Sequence, residues 1–122
     1  MADLLVGVLE GPARFNPDVL VDPALSAWPG SKWSPSSERL APNSAGLLEL
    51  HGQGQIVFVD FLSGAEGLGV DGGDDLAAAF LAWLTTQVDM RASQVVVSDW
   101  ANDLVTLDSG MTPDELRRLR DA

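Results

Sequence analysis

One histidine, no cysteine and no tyrosine limit the chemistry open to this 122-residue chain. His51 is the only imidazole, and so the only side chain whose ordinary pKa suits general-base work near neutrality. A Ser-His-Asp triad would have to recruit it, yet no serine lies in a G-x-S-x-G frame. Its place beside Gly52, at the end of an apolar run, is that of an exposed hairpin histidine. The absence of cysteine removes disulfides, thiolate zinc sites and cysteine nucleophiles together.

Gly67-Leu68-Gly69-Val70-Asp71-Gly72 matches the G-x-G-x-x-G pattern that holds a pyrophosphate between a strand and a helix. Asp99 ends a later strand, where a ribose-binding acid would sit. Glu66, Asp71, Asp74 and Asp75 oppose this reading, because carboxylates at the helix N-terminus repel phosphate. The preceding strand also ends too early for the tight turn. The stretch from Ser63 to Gly73 is therefore expected to be a glycine-rich loop running into an acid-capped helix. Asp71, Asp74 and Asp75 lack the alternate spacing and terminal Glu of a calcium loop. No catalytic constellation, cofactor or metal site follows from these residues.

Charge carries more information. Acids outnumber bases 18 to 7, for a formal net charge of −11. A nucleic-acid-binding chain shows the opposite balance, so direct nucleic-acid binding is not expected. Between residues 40 and 116 Arg91 is the only base, whereas Arg117, Arg118 and Arg120 crowd the C-terminus. One reading is a solvated, solubilising surface. The other is a field that steers a basic protein partner. Ser98-Asp99-Trp100-Ala101-Asn102-Asp103 sharpens the second, setting an aromatic between two acids as an interface anchor would be. The alternative for Trp100 is inward packing against a helix. Trp28 and Trp33 are further candidates for a docking surface.

The elements that must position these residues read as α+β in a single domain. The 46% hydrophobic content suffices for a core. Leu4 to Leu9 is a short buried strand, with Asp3 where a secretory leader would be basic, and no run approaches a membrane span. Residues 11–45 hold six of the seven prolines; Asn16-Pro17 and Asp22-Pro23 each suit a helix start within 17–28, and 29–43 reads as irregular. Leu47 to His51 and Ile56 to Leu62 form a hairpin, whose second strand is apolar on both faces and so expected to be central. Leu76, Phe80, Trp83, Leu84 and Val88 recur at helical spacing, with Arg91 near the helix end. Gln94 to Trp100 and Asp103 to Leu107 form a second hairpin. Thr112-Pro113-Asp114-Glu115 is a capping box, and Leu116 and Leu119 anchor a short last helix. The sum is a mainly antiparallel sheet of about five strands, with one long amphipathic helix and a short C-terminal helix packed on it.

The run Val95-Val96-Val97-Ser98-Asp99-Trp100, continuing through Leu107-Asp108-Ser109-Gly110-Met111-Thr112-Pro113-Asp114-Glu115-Leu116, is similar to the C-terminal layout of small bacterial immunity proteins against polymorphic toxins. A single Lys beside six Arg, with abundant Ala, Gly, Leu and Asp, fits a high-GC bacterial proteome, and with no secretory leader or membrane span expected the default setting is cytoplasmic. The resemblance implies stoichiometric blockade of a cognate toxin, with a nuclease and its basic cleft as one candidate. It transfers no site residue. The contacts expected from charge and aromatic placement are Asp71, Asp74, Asp75, Asp99, Trp100 and Asp103. Two other readings stay open: a DNA mimic acting as an anti-defence or regulatory protein, and a small structural subunit of a larger assembly.

Overall fold

The computed structural model describes residues 2–35, 44–101 and 104–121. In chain order the elements are β1 (Ala2–Glu10), α1 (Pro17–Ala27), β2 (Lys32–Pro35), β3 (Ser44–Gly52), β4 (Gln55–Leu62) and β5 (Gly67–Gly72), then α2 (Asp74–Gln87), β6 (Gln94–Ser98), β7 (Val105–Thr106) and α3 (Pro113–Asp121). All seven strands join one antiparallel sheet in the order β2-β3-β4-β5-β1-β6-β7. The α+β class stands; the sheet is two strands larger than the hydrophobic runs suggest. Among the described residues no helix is long and apolar enough to cross a membrane.

One of the extra strands, β5, lies inside the glycine-rich stretch expected to be a loop. Leu68 and Val70 point into the core while Gly67, Gly69 and Asp71 take the other face, so strand alternation was present but short. The other, β2, falls in the stretch expected to be irregular and pairs along β3 from Lys32↔Glu49 to Pro35↔Gly46. The rest of that stretch, 36–43, lies outside the described residues. Gly46, at φ +155°, is required here. A Cβ on it would come within 2.3 Å of the Trp33 ring, which packs edge-on to Phe61 at 5.5 Å.

The β3–β4 hairpin closes through Gln53 and Gly54, both at positive φ, as the tight two-residue turn demands. Helix α1 begins as expected, with the Asn16 side chain accepting from the Asp18 N–H at 2.9 Å. Asp22-Pro23 starts no second helix; Pro23 sits inside α1. Helix α3 is capped by Thr112, whose Oγ1 accepts from the Glu115 N–H at 3.2 Å. Leu116 is buried, but Leu119 is 41% exposed and does not anchor it.

Helix α2 packs on β4 and β5 and against α3, while α1 packs near β3. Because it is covered on several sides, α2 buries Ala77, Ala78, Leu81, Ala82 and Thr85 beyond the expected stripe, while Trp83 is only partly buried. Thr85 resolves its own burial by donating to the Ala82 carbonyl at 2.6 Å and accepting from the Met111 N–H at 3.0 Å. Inward-facing Leu4, Val6, Leu48, Leu50, Val57, Val59, Phe61, Leu68, Val70, Val95 and Val97 complete one core on one side of the sheet.

Arg91 does not cap α2, whose last turn carries no base. It belongs to Asp89, which accepts from the Arg91 Nε and Nη2, each at 3.0 Å, and from its backbone N–H at 2.9 Å. These bonds hold the Asp89 carboxyl at about 2, below its usual 3.8, the side-chain bonds mattering most. A depressed carboxyl pKa favours the fold above the unfolded value, and that contribution disappears as pH falls towards 2. The pair is exposed and solvent-screened, so the effect is small. Asp89→Asn is accordingly expected to flatten slightly the acid limb of stability against pH between 3.8 and 2, as urea titrations at stepped pH would show.

Candidate functional site

Of the described residues expected to meet a partner, Asp74, Asp75 and Trp100 gather where α2 meets α3, whereas Asp71 lies on the sheet face away from the helices. Asp74 and Asp75 open α2, where carboxylates favour the positive end of the helix dipole. Gly73 offers no side-chain cap, and Gln55 Oε1 from β4 takes that role by accepting the Leu76 N–H at 3.0 Å. The two acids face the arginines of α3: Arg120 Nη1 lies 3.7 Å from Asp74 and Arg117 Nη1 lies 3.8 Å from Asp75. The basic cluster at the C-terminus thus folds back onto part of the acidic middle and offsets its charge locally.

Trp100 belongs to the same junction. It is only 4% exposed, its Nε1 donates to the Leu116 carbonyl at 2.9 Å, and the Arg120 guanidinium lies 5.0 Å over its ring. An exposed aromatic anchor is therefore not what Trp100 is; inward packing wins because the indole finds both an apolar bed and an acceptor. Trp100→Phe keeps the bulk and loses the donor, and should cost about 1–2 kcal/mol in urea unfolding. Asp99 is exposed at the end of β6 with φ 66°, and Asp103 lies outside the described residues. Trp28 and Trp33 are partly buried against Phe80, Trp83 and Phe61.

The G-x-G-x-x-G stretch forms no phosphate loop. It is strand β5, paired with β1 on one side and β4 on the other. His51 Nε2 lies 2.6 Å from Glu49 Oε2, two residues away on the same face of β3. Among the described residues no three His, Asp or Glu side chains converge as a metal would require.

Asp71 leads to a different surface. With every helix on one side, the opposite face of the sheet has no covering element among the described residues. The register sets its side chains in rows. Lys32, Glu49, Phe58, Asp71 and Asp3 lie side by side from β2 to β1, and Ser34, Leu47, Asp60, Gly69, Leu5 and Ser98 form the next row. Leu5 is 49% exposed, Ile56 47%, and Leu47 and Phe58 39% each. Asp60 is held by Ser44, whose Oγ donates to it at 2.5 Å.

Leu5, Leu47, Ile56 and Phe58 are the residues that reading the sequence missed. Leu5 is expected in a buried strand and Ile56 and Phe58 in a strand apolar on both faces, while Leu47 falls on a hairpin strand with no face assigned. The available signal was Asp60, sharing a face with Ile56 and Phe58, since a doubly covered strand seldom carries a carboxylate. Comparison with protein-family models, with curated proteins and with solved structures returns no match.

Proposed function

We propose that this is an acidic binding protein that neutralises a basic protein partner by stoichiometric occupation, in the manner of the immunity proteins bacteria carry against toxins. The observation that carries the reading is the sheet face that no described element covers, where four large apolar side chains stand exposed among carboxylates. Exposed apolar side chains gathered on one sheet face and interleaved with carboxylates are the kind of surface a protein partner covers. The net charge of −11 adds long-range attraction for a basic partner and raises the rate of encounter. A nuclease toxin, with a cleft built to hold phosphates, has the complementary chemistry.

Affinity capture from a lysate of the source organism, at low and high salt, tests the reading. One basic protein should be retained at about one to one, and salt should weaken it. The variant Asp3→Lys/Asp71→Lys should lower retention about tenfold at low salt. Absence of any basic partner at either salt would leave the acidic surplus as a solubilising surface and defeat the proposal.

A further inference from the structure

We infer that the basic partner docks on the uncovered face of the sheet, across the rows of Asp3, Asp71 and Phe58 and of Leu5, Gly69, Asp60 and Leu47, and not on the acidic start of α2. The inference rests on the binding reading above and deepens it by fixing the surface and the chemistry of its occupant: a protein surface presenting arginine or lysine side chains with their aliphatic stems.

Charge selects that occupant. Asp3 and Asp71 are direct cross-strand partners, and neither carboxylate has a hydrogen bond or ion pair among the described residues. Such neighbours have Cβ atoms about 4.5–5.5 Å apart, where like charges destabilise a sheet. A guanidinium or ammonium between them relieves that repulsion. By contrast, Asp74 and Asp75 already face Arg120 and Arg117. Every described arginine (Arg14, Arg91, Arg117, Arg118, Arg120) lies in a loop or in α3, and Lys32 at the β2 edge is the one described lysine or arginine on the strands. A second copy of the chain, docked face to face, would therefore set carboxylates against carboxylates.

Shape agrees with charge. Gly69, the cross-strand partner of Leu5, and Gly7, two residues along β1 from it, leave open space beside Leu5. A Cβ on Gly7 would meet no heavy atom within 4 Å, and one on Gly69 only the Asp60 Cβ at 3.7 Å. Neither adopts positive φ, so the fold does not need glycine at either place. Interior strand glycines weaken a sheet and often mark where another chain approaches closely. The aliphatic stem of a lysine or arginine lies naturally along such a hollow, its head reaching Asp60 or Asp71.

The test uses the full chain and a synthetic peptide of alternating arginine and leucine as probe, with binding mapped by backbone amide NMR shifts. Shifts centred on Leu5, Phe58, Gly69 and Asp71 are expected. Asp3→Lys/Asp71→Lys should weaken the peptide about tenfold, and Asp74→Asn/Asp75→Asn should leave it unchanged. Gly7→Val and Gly69→Val fill the hollow without changing the charge of the face. Each should weaken binding about tenfold while Tm holds or rises, since valine suits a strand better than glycine. No binding, shifts centred on α2 and α3, glycine variants that stay folded and bind like wild type, or a dimer formed through this face would each overturn the inference. Retention of the lysate's basic partner by the sheet-face variants would sink the surface and spare the binding reading; loss of any basic partner from wild type would sink the reading itself.

Discussion

Phe80→Ala is expected to remove about 3–5 kcal/mol of stability, from the lost burial of the ring and the cavity left behind. Phe80 is fully buried on α2, and its ring centroid lies 6.2 Å from that of Trp28 and 5.8 Å from that of Trp83. Trp28 and Trp83 in turn meet edge to face at 5.4 Å. This group ties the end of α1 to the middle of α2, so the void cannot close without moving two large indoles. A domain of this size has about 5–15 kcal/mol in total, and the variant would stand near the edge of folding. Urea denaturation followed by tryptophan fluorescence should show a much lower midpoint at an unchanged slope. A loss below about 1 kcal/mol would mean that the two indoles collapse into the space, contrary to their packed arrangement.

Gly72→Ala should be comparably damaging for the opposite reason, an atom added where there is no room. Gly72 ends β5 with φ +146°, and a Cβ there would stand 2.2 Å from the Ile56 carbonyl oxygen and 2.7 Å from the Val57 Cα. Both obstacles are backbone of β4 in mid-sheet, so no side chain can swing away. The strands must separate or the end of β5 must unpair, for a loss of about 3 kcal/mol or more. Gly69→Ala, three residues earlier on the same strand, is the control and should be neutral or mildly stabilising, because its neighbour is at van der Waals distance. Thermal unfolding of the two variants side by side separates local crowding from any general intolerance of alanine in β5. Equal Tm values would contradict the clash.

The contrast also shows why residues 67–72 read as a glycine-rich loop when they form a strand. G-x-G-x-x-G is a pattern of small residues, and small residues serve a phosphate, a close backbone or an empty place on a surface equally well. Here Gly72 answers to the Ile56 carbonyl, Gly67 to Leu62 lying over it, and Gly69 has only the Asp60 Cβ, at ordinary contact distance, among the described residues. Only knowledge of which strands lie beside residues 67–72 separates these cases.

Local chemistry was legible wherever neighbours in sequence are also neighbours in space. The Asn16 and Thr112 caps, the Gln53-Gly54 turn, the helical spacing of Leu76, Phe80 and Leu84 and the two hairpins all depend on contacts within a few residues. So does the α+β class, which follows from counting such segments. What required the fold was every property set by the order β2-β3-β4-β5-β1-β6-β7. That order pairs Asp3 with Asp71 across 68 positions of sequence and brings Arg117 and Arg120 back to Asp75 and Asp74. It also puts all three helices on one side. An apolar residue on a strand carries the same signal whether its face meets a helix or water, so Leu5 and Phe58 read as core until the helices are placed. Trp100 shows the same limit from the other side: flanked by acids it suits either an exposed anchor or inward packing, and α3, folding over it and supplying the acceptor its indole needs, decides for the second.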